Sequence, residues 1–226
     1  MNIYAISDFH LSFGTNKPMN IFGDKWIDYE KKIEQNWKSK VKEDDVVILA
    51  GDFSWATYLD EAVQDFEFLN KLPGTKIMLK GNHDYWWETL AKLNRFTKEN
   101  NFSNIYFLHN NFYKFGNYYI CGTRYWQDEE GKDNEKIYKR ELERLKISLD
   151  MAKNDDENGE IILVTHYPPT ERIMDAIKGY NVKKWIYGHI HSNYEDALVN
   201  INGIDTYLTS CDYLEFDLVK ICWLWE

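Results

Sequence analysis

Five short apolar runs in this chain each lead into residues able to bind a metal ion. Ile3 to Ile6 runs into Asp8-Phe9-His10, and Val46-Val47-Ile48-Leu49-Ala50 runs into Gly51-Asp52. Ile77-Met78-Leu79 leads to Gly81-Asn82-His83-Asp84, and Ile161 to Val164 leads to Thr165-His166. Trp185-Ile186-Tyr187 leads to Gly188-His189-Ile190-His191. Runs this short, rich in β-branched and aromatic residues, read as strands buried on both faces. In open α/β sheets the carboxyl ends of parallel strands share one edge, and ligands bind in the crevice there. Five separate strands would therefore deliver polar side chains to one place.

Between several of these strands the apolar period becomes helical. Trp26, Tyr29, Ile33 and Trp37 step by threes and fours, as do Leu59, Val63 and Phe66, and then Leu90, Leu93 and Phe96. Alternating strand and helix predicts an α/β layered fold with helices on the sheet faces. Tyr118-Tyr119-Ile120-Cys121 reads as a further strand. Toward the C-terminus an Asn202-Gly203 turn sits between apolar alternations, a hairpin signal. Tyr207-Leu208-Thr209 and Phe216 to Trp223 continue the strand pattern, so the chain end is expected to be antiparallel sheet. Residues 128–158 carry eleven acids and seven bases, 7 − 11 = −4. There Tyr138, Leu142, Leu145, Leu149 and Ala152 form one stripe, the pattern of an amphipathic helix with a solvated charged face.

The chain has 226 residues, 44% hydrophobic and 16% aromatic. That supplies one sizeable core and excludes global disorder. We expect a single domain over 1–226, with a charged amphipathic helix inserted around 132–153. No apolar run approaches the roughly 18 residues a membrane span requires. The N-terminal segment has no basic region and meets Asp8 at once, unlike a secretory signal. Cys121, Cys211 and Cys222 lie far apart, in no metal-binding spacing, so a reduced, cytoplasmic protein is expected. The balance of 27 bases and 37 acids, net −10, argues against coating long nucleic acid. A phosphate substrate stays compatible, because bound cations supply local positive charge.

Asp8, His10, Asp52, Asn82, His166, His189 and His191 offer oxygen and imidazole donors and no thiolate. Such a set suits divalent metal of intermediate hardness: manganese, iron or zinc. Seven ligands exceed what one tetrahedral ion takes, and they match two ions sharing a carboxylate. Two ions roughly 3.5–4 Å apart can clamp a phosphoryl group. The sixth histidine, His109, has no partner motif and reads as structural.

These blocks, in this order from Asp8 to His191, resemble the calcineurin-like metallophosphoesterase superfamily. The resemblance implies two mixed β-sheets packed as a sandwich and flanked by helices, a four-layer α/β/β/α fold. It assigns one metal to Asp8, His10, Asp52 and His191, and the second to Asp52, Asn82, His166 and His189, with Asp52 bridging. The two ions would be divalent or a mixed-valence pair. The glycines at 51, 81 and 188 would let the backbone approach the metals closely. His83 would bind phosphate and protonate the leaving oxygen, since an alkoxide leaves poorly without a proton. Asp84 would orient His83 or support a nearby turn. The implied reaction is hydrolysis of a phosphomonoester or phosphodiester by a metal-bridging hydroxide, with no covalent phospho-enzyme.

The Ser/Thr protein phosphatases of this superfamily extend the second block as Gly-Asp-x-Val-Asp-Arg-Gly. Here it reads Gly51-Asp52-Phe53-Ser54-Trp55-Ala56. Without that arginine, a phosphorylated small molecule or nucleotide is favoured over a phosphoprotein. The overall pattern, with Lys17-Pro18-Met19 after the first block, is more similar to the compact bacterial predicted phosphohydrolases. Trp55, Tyr85, Trp86, Trp87 and Trp126 are candidates for stacking on a planar group or for core packing. Arg124 is a candidate phosphate ligand or a structural ion pair. Lys17, in the loop Phe13 to Asp24, is a candidate to overhang the site. Two other readings are a non-catalytic protein-binding scaffold on the same fold and a nuclease of the superfamily. The intact ligand set weighs against the first and the net charge against the second.

Overall fold

The computed structural model describes residues 1–126, 132–201 and 203–223. Ten strands form two five-stranded mixed sheets. The first contains β1 (Asn2–Ile6), β2 (Val46–Leu49), β3 (Thr75–Met78) and β4 (Ile105–Phe107), with β10 (Val219–Trp223) on its edge. Strands β1 to β4 run parallel, and β10 pairs antiparallel with β1. The second contains β5 (Phe112–Phe115), β6 (Tyr118–Gly122), β7 (Glu160–Val164), β8 (Val182–Tyr187) and β9 (Asp205–Leu208). Here β5 is antiparallel to β6, and the other pairings are parallel.

Alternation along the strands explains the layers. Ile3, Ala5, Val46, Ile48 and Ile77 of the first sheet share one aliphatic cluster with Ile120, Ile162, Val164 and Ile186 of the second. The alternate residues of the first sheet, Tyr4, Ile6, Val47 and Leu49, face the opposite way. They pack with Ile33 and Trp37 of α1 (Tyr29–Lys40), Phe66 of α2 (Val63–Asn70) and Leu93 of α3 (Leu90–Glu99). On the outer face of the second sheet, Tyr119, Leu163 and Trp185 meet Leu145 and Leu149 of α4 (Lys132–Asp155) and Ile173 of α5 (Glu171–Ile177). A sixth short helix, α6, spans Tyr194–Ala197. The central strands β1, β2, β3 and β7 are covered on both faces, which is why their runs are nearly continuous in hydrophobicity. The α/β sandwich expected above is the observed architecture.

Several expectations need correction. The C-terminal part is not one antiparallel sheet: β9 adds parallel to β8, while β10 crosses to the other sheet. The Ile204 N–H does reach the Ile201 carbonyl at 3.0 Å across a tight turn, but the hairpin does not propagate. Its Asn202, like residues 127–131 of the charged stretch, lies outside the described residues. Helix α4 carries the expected stripe, with Tyr138, Leu145, Leu149 and Ala152 buried. It is the crossover between the parallel strands β6 and β7. Strands β4 and β5 escaped the sequence reading because one is three residues long and the other half-exposed. All three cysteines are free. Among the described residues no helix is long and apolar enough to cross a membrane.

Candidate metal centre

The segments after β1 and β2 run side by side. Asp8 N–H donates to the Gly51 carbonyl (2.9 Å), His10 N–H to Asp52 (3.0 Å) and Leu11 N–H to Phe53 (3.0 Å). In this arrangement Asp8, His10 and Asp52 adopt φ values of 58°, 48° and 51°. Side chains seldom occupy that left-handed region, and such strain gathers at functional sites. Close approach also demands glycine at two positions. A Cβ on Gly81 would lie 2.1 Å from Asp52 Oδ1, and one on Gly188 would lie 2.3 Å from Asp8 Oδ2.

All seven sequence-predicted ligands converge. Donor atoms of Asp8, His10 and His191 lie within 4.8 Å of one another, and so do those of Asp52, His166 and His189. The Asn82 Oδ1 sits 2.7 Å from His166 Nε2 and 2.9 Å from His189 Nδ1. Asp52 Oδ2 lies between the groups, 3.4 Å from His166 Nε2 and 3.7 Å from His10 Nε2. His10 Nε2 is 3.2 Å from His191 Nε2. Ring nitrogens facing one another and a carboxylate, in a pocket without thiolates, form a donor set suited to divalent cations.

Two of the remaining ring nitrogens are committed elsewhere, whereas His10 Nδ1 is buried with no partner among the described residues. His166 Nδ1 lies 2.8 Å from the Ala50 carbonyl, and His191 Nδ1 lies 3.0 Å from Asp212 Oδ1. Each contact fixes a ring and leaves Nε2 lone-pair first toward the centre. Asp212 also accepts from Lys25 Nζ (2.6 Å) and the Tyr194 hydroxyl (2.8 Å). Asp84 is buried and supports backbone turns. It accepts N–H bonds from Gly81 (2.7 Å), Asp52 (3.0 Å), Phe53 (2.9 Å) and Ser54 (3.3 Å), and one from the Trp86 indole (3.0 Å).

Burial pushes His10 down to about 3 and, with the charge of His166, pushes His189 down to about 4. Burial opposes charge on His166 too, but the neighbouring Asp52 carboxylate outweighs it and raises the imidazole to about 9. Burial likewise opposes charge on Asp52, yet His166 holds its carboxyl below the usual range. The site thus pairs an acidic Asp52 carboxylate with two imidazoles that shed their protons readily, His10 and His189, and two that hold theirs, His166 beside Asp52 and His191 beside Asp212.

His83 lines a cavity of about 340 Å³ with His10, Asp52, His189 and His191. Its N–H donates to Asp52 Oδ1 at 2.8 Å, and its ring centroid lies 4.7 Å from that of Trp55. Trp55 also stacks on His10 at 4.6 Å. Of the aromatic candidates, Trp86 and Trp87 are core residues, Tyr85 is exposed, and Trp126 packs on Tyr167 and Arg124. Of these five only Trp55 reaches this cavity. The loop after the first block does overhang it, through Met19, Phe22 and Trp26. Lys17 instead bonds the Trp55 carbonyl at 3.1 Å. The cavity's cation is Lys25, which the sequence reading missed, together with Asp212. Asp212 had a signal, for it follows Leu208-Thr209-Ser210-Cys211 as another polar residue after a strand end.

This fold and this pair of metal-capable groups define a metallophosphoesterase framework. The profile of the calcineurin-like phosphoesterases matches residues 1–193, and the chain belongs to that family. No curated protein matches the sequence. Among solved structures, the chain is similar to the Aquifex aeolicus protein AQ665, of unknown function. They share 20% identity over 97% of this chain and 95% of the other, with a TM-score of 0.53. The phosphopantetheinyl hydrolase PptH from Mycobacterium tuberculosis shows 14% identity over 97% and 95%, with a TM-score of 0.52. The protein TT1561 from Thermus thermophilus shows 12% identity over 97% of each chain, with a TM-score of 0.58.

Proposed function

We propose that this chain is a dinuclear-metal phosphohydrolase acting on a phosphorylated small molecule or nucleotide, as a monoester or diester. One observation carries the reading. The buried Asp52 Oδ2 lies within 3.7 Å of an imidazole nitrogen in each of the two donor groups, His10 Nε2 in one and His166 Nε2 in its own. Asp8, His10, Asp52 and His191 would hold one ion, and Asp52, Asn82, His166 and His189 the other. Two divalent ions of the manganese, iron or zinc kind would supply Lewis-acid charge and an activated water there. The chain's own residues do the rest. Ala50 and Asp212 fix imidazole orientation, and Trp55 packs against His10 and His83. His83 borders the cavity where a leaving oxygen would emerge and acts as the proton donor. Met19, Phe22 and Trp26 give the cavity an apolar wall, and its volume of about 340 Å³ fits a compact substrate better than a phosphoprotein surface. The hydrolase likeness of PptH agrees in reaction class.

Initial rates on a chromogenic phosphodiester and its monoester, with manganese-loaded protein, test this reading. Asp52→Asn should lose at least about a thousandfold on the better ester. His83→Gln should cost about 10²–10⁴-fold on an alkyl ester, and far less when p-nitrophenolate leaves without help. An equal loss on both leaving groups would remove His83 as the acid. Silence of metal-loaded wild type on every ester would leave the scaffold reading.

A further inference from the structure

A second crevice opens where the carboxyl ends of β3, β4 and β6 meet α4. It holds about 380 Å³ and shares no lining residue with the cavity at the metal groups. Its walls carry Lys80, Arg124, Arg140 and Arg144 against two carboxylates, Glu88 and Glu141. Glu88 is already engaged, 3.1 Å from Lys92 Nζ. Glu141 is buried, accepts from Thr123 at 2.6 Å and Arg144 at 2.8 Å, and stands 3.9 Å from both Arg124 and Arg140, so one carboxylate faces three guanidinium groups. A local surplus of cations stands out in a chain of net charge −10.

Crowded cations alone do not make a site. The second observation is a set of unused polar atoms. Trp87 is 8% exposed, and its indole Nε1 is buried with no hydrogen-bond partner among the described residues. Arg124 Nε and Asn110 Oδ1 are likewise buried and unpartnered. All three residues line this crevice, but the atoms themselves are closed to solvent, so a guest meets them only as these side chains rotate toward it. A buried unmet donor is costly, so native structures rarely keep one. Two N–H donors, an amide that can turn over to present its NH₂, and flanking guanidinium groups call for an acceptor-only, negatively charged guest. A carboxylate or water would use only part of this set. A tetrahedral oxyanion offers enough acceptor atoms for all of it, and the volume leaves room for whatever the oxyanion is attached to.

We propose that the crevice formed by Lys80, Trp87, Arg124, Arg140 and Arg144 binds a phosphate-class oxyanion. This site is distinct from the metal groups and does not depend on the reading of them. The guest is either a second phosphate of an extended substrate or a free phosphate ion.

The test follows the indole N–H of Trp87 in ¹H–¹⁵N spectra of the zinc-loaded full chain. Inorganic phosphate is titrated at constant ionic strength, and Trp87→Phe identifies the resonance. A saturable displacement is expected. It should weaken about tenfold, a change of about 1.4 kcal/mol, in Arg124→Gln and in Arg140→Gln. Arg140 is 54% exposed, so its variant should keep the fold. Asp52→Asn should keep the displacement while losing hydrolysis, which separates this claim from the catalytic one. Steady-state kinetics then distinguish the sources. A substrate-borne phosphate predicts that Arg140→Gln raises KM for a nucleoside diphosphate ester and leaves a p-nitrophenyl ester alone. A free ion predicts that added phosphate changes the p-nitrophenyl rate in wild type beyond competitive product inhibition at the metal centre, and that Arg140→Gln retains that inhibition alone. An unmoved Trp87 resonance, or equal affinity in wild type and both variants, overturns the proposal.

Discussion

Asp212 shows how much of the site rests on residues outside the ligand set. Its carboxylate holds His191 Nδ1 at 3.0 Å and is itself anchored by Lys25 and Tyr194. Partners of this kind set ring orientation and ligand basicity. Asp212→Asn should therefore weaken binding of one ion of the pair about 10–100-fold, with the other ion unaffected. Competition with a chromogenic chelator would resolve the two affinities, and equal weakening of both would count against the assigned geometry. That these seven side chains converge was legible because each follows a strand end in a compact block. Asp212 was less so, since its role depends on Lys25, 187 positions away. Asp84 illustrates the opposite limit: it lies inside a recognised block, yet its five N–H partners emerge only once two loops are laid side by side.

Among the elements, β3 carries an unusual residue. Lys76 is fully buried on the helix-facing side of the first sheet. Its ammonium donates to the Leu72 carbonyl and lies 5.9 Å from the Trp37 ring. Among the described residues it has no ion pair. Burial lowers it to about 7. Between pH 7 and about 10.5 the unfolded chain holds this proton and the folded chain does not, so stability rises with pH across that window. Below about pH 7 both states are protonated and the full cost of the buried charge remains. Lys76→Met should stabilise the protein by about 1–3 kcal/mol at about pH 6. The gain should shrink toward about pH 10, as read by urea midpoints at both pH values. A destabilised variant at the lower pH would show that the ammonium contributes more than it costs. Periodicity placed α1, α3 and α4 well. It could not say that β9 and β10 part company, because strand direction depends on which sheet edge is open and not on the hydrophobic pattern.

At the scale of the whole molecule, the aliphatic layer between the sheets is the main structural joint. Ile3, Ile48 and Ile77 meet Ile120, Ile162 and Ile186 there, so neither sheet buries its inner face alone. The chain should unfold in one cooperative transition, with tryptophan fluorescence and far-ultraviolet dichroism coinciding. Two separated transitions would divide it into independent units. The same joint aligns the strand ends that carry the donors: Asp8, Asp52 and Asn82 come from one sheet, and His166, His189 and His191 from the other. A centre shared between the two sheets should take up two ions, and metal stoichiometry decides whether it does. Activity of chelator-stripped protein should be measured as manganese is added, alongside bound metal by elemental analysis. Both should rise together and level off at about two ions per chain, with Asp52→Asn failing to reach that occupancy. Full activity at one ion per chain, or activity indifferent to metal, would contradict a shared two-ion centre.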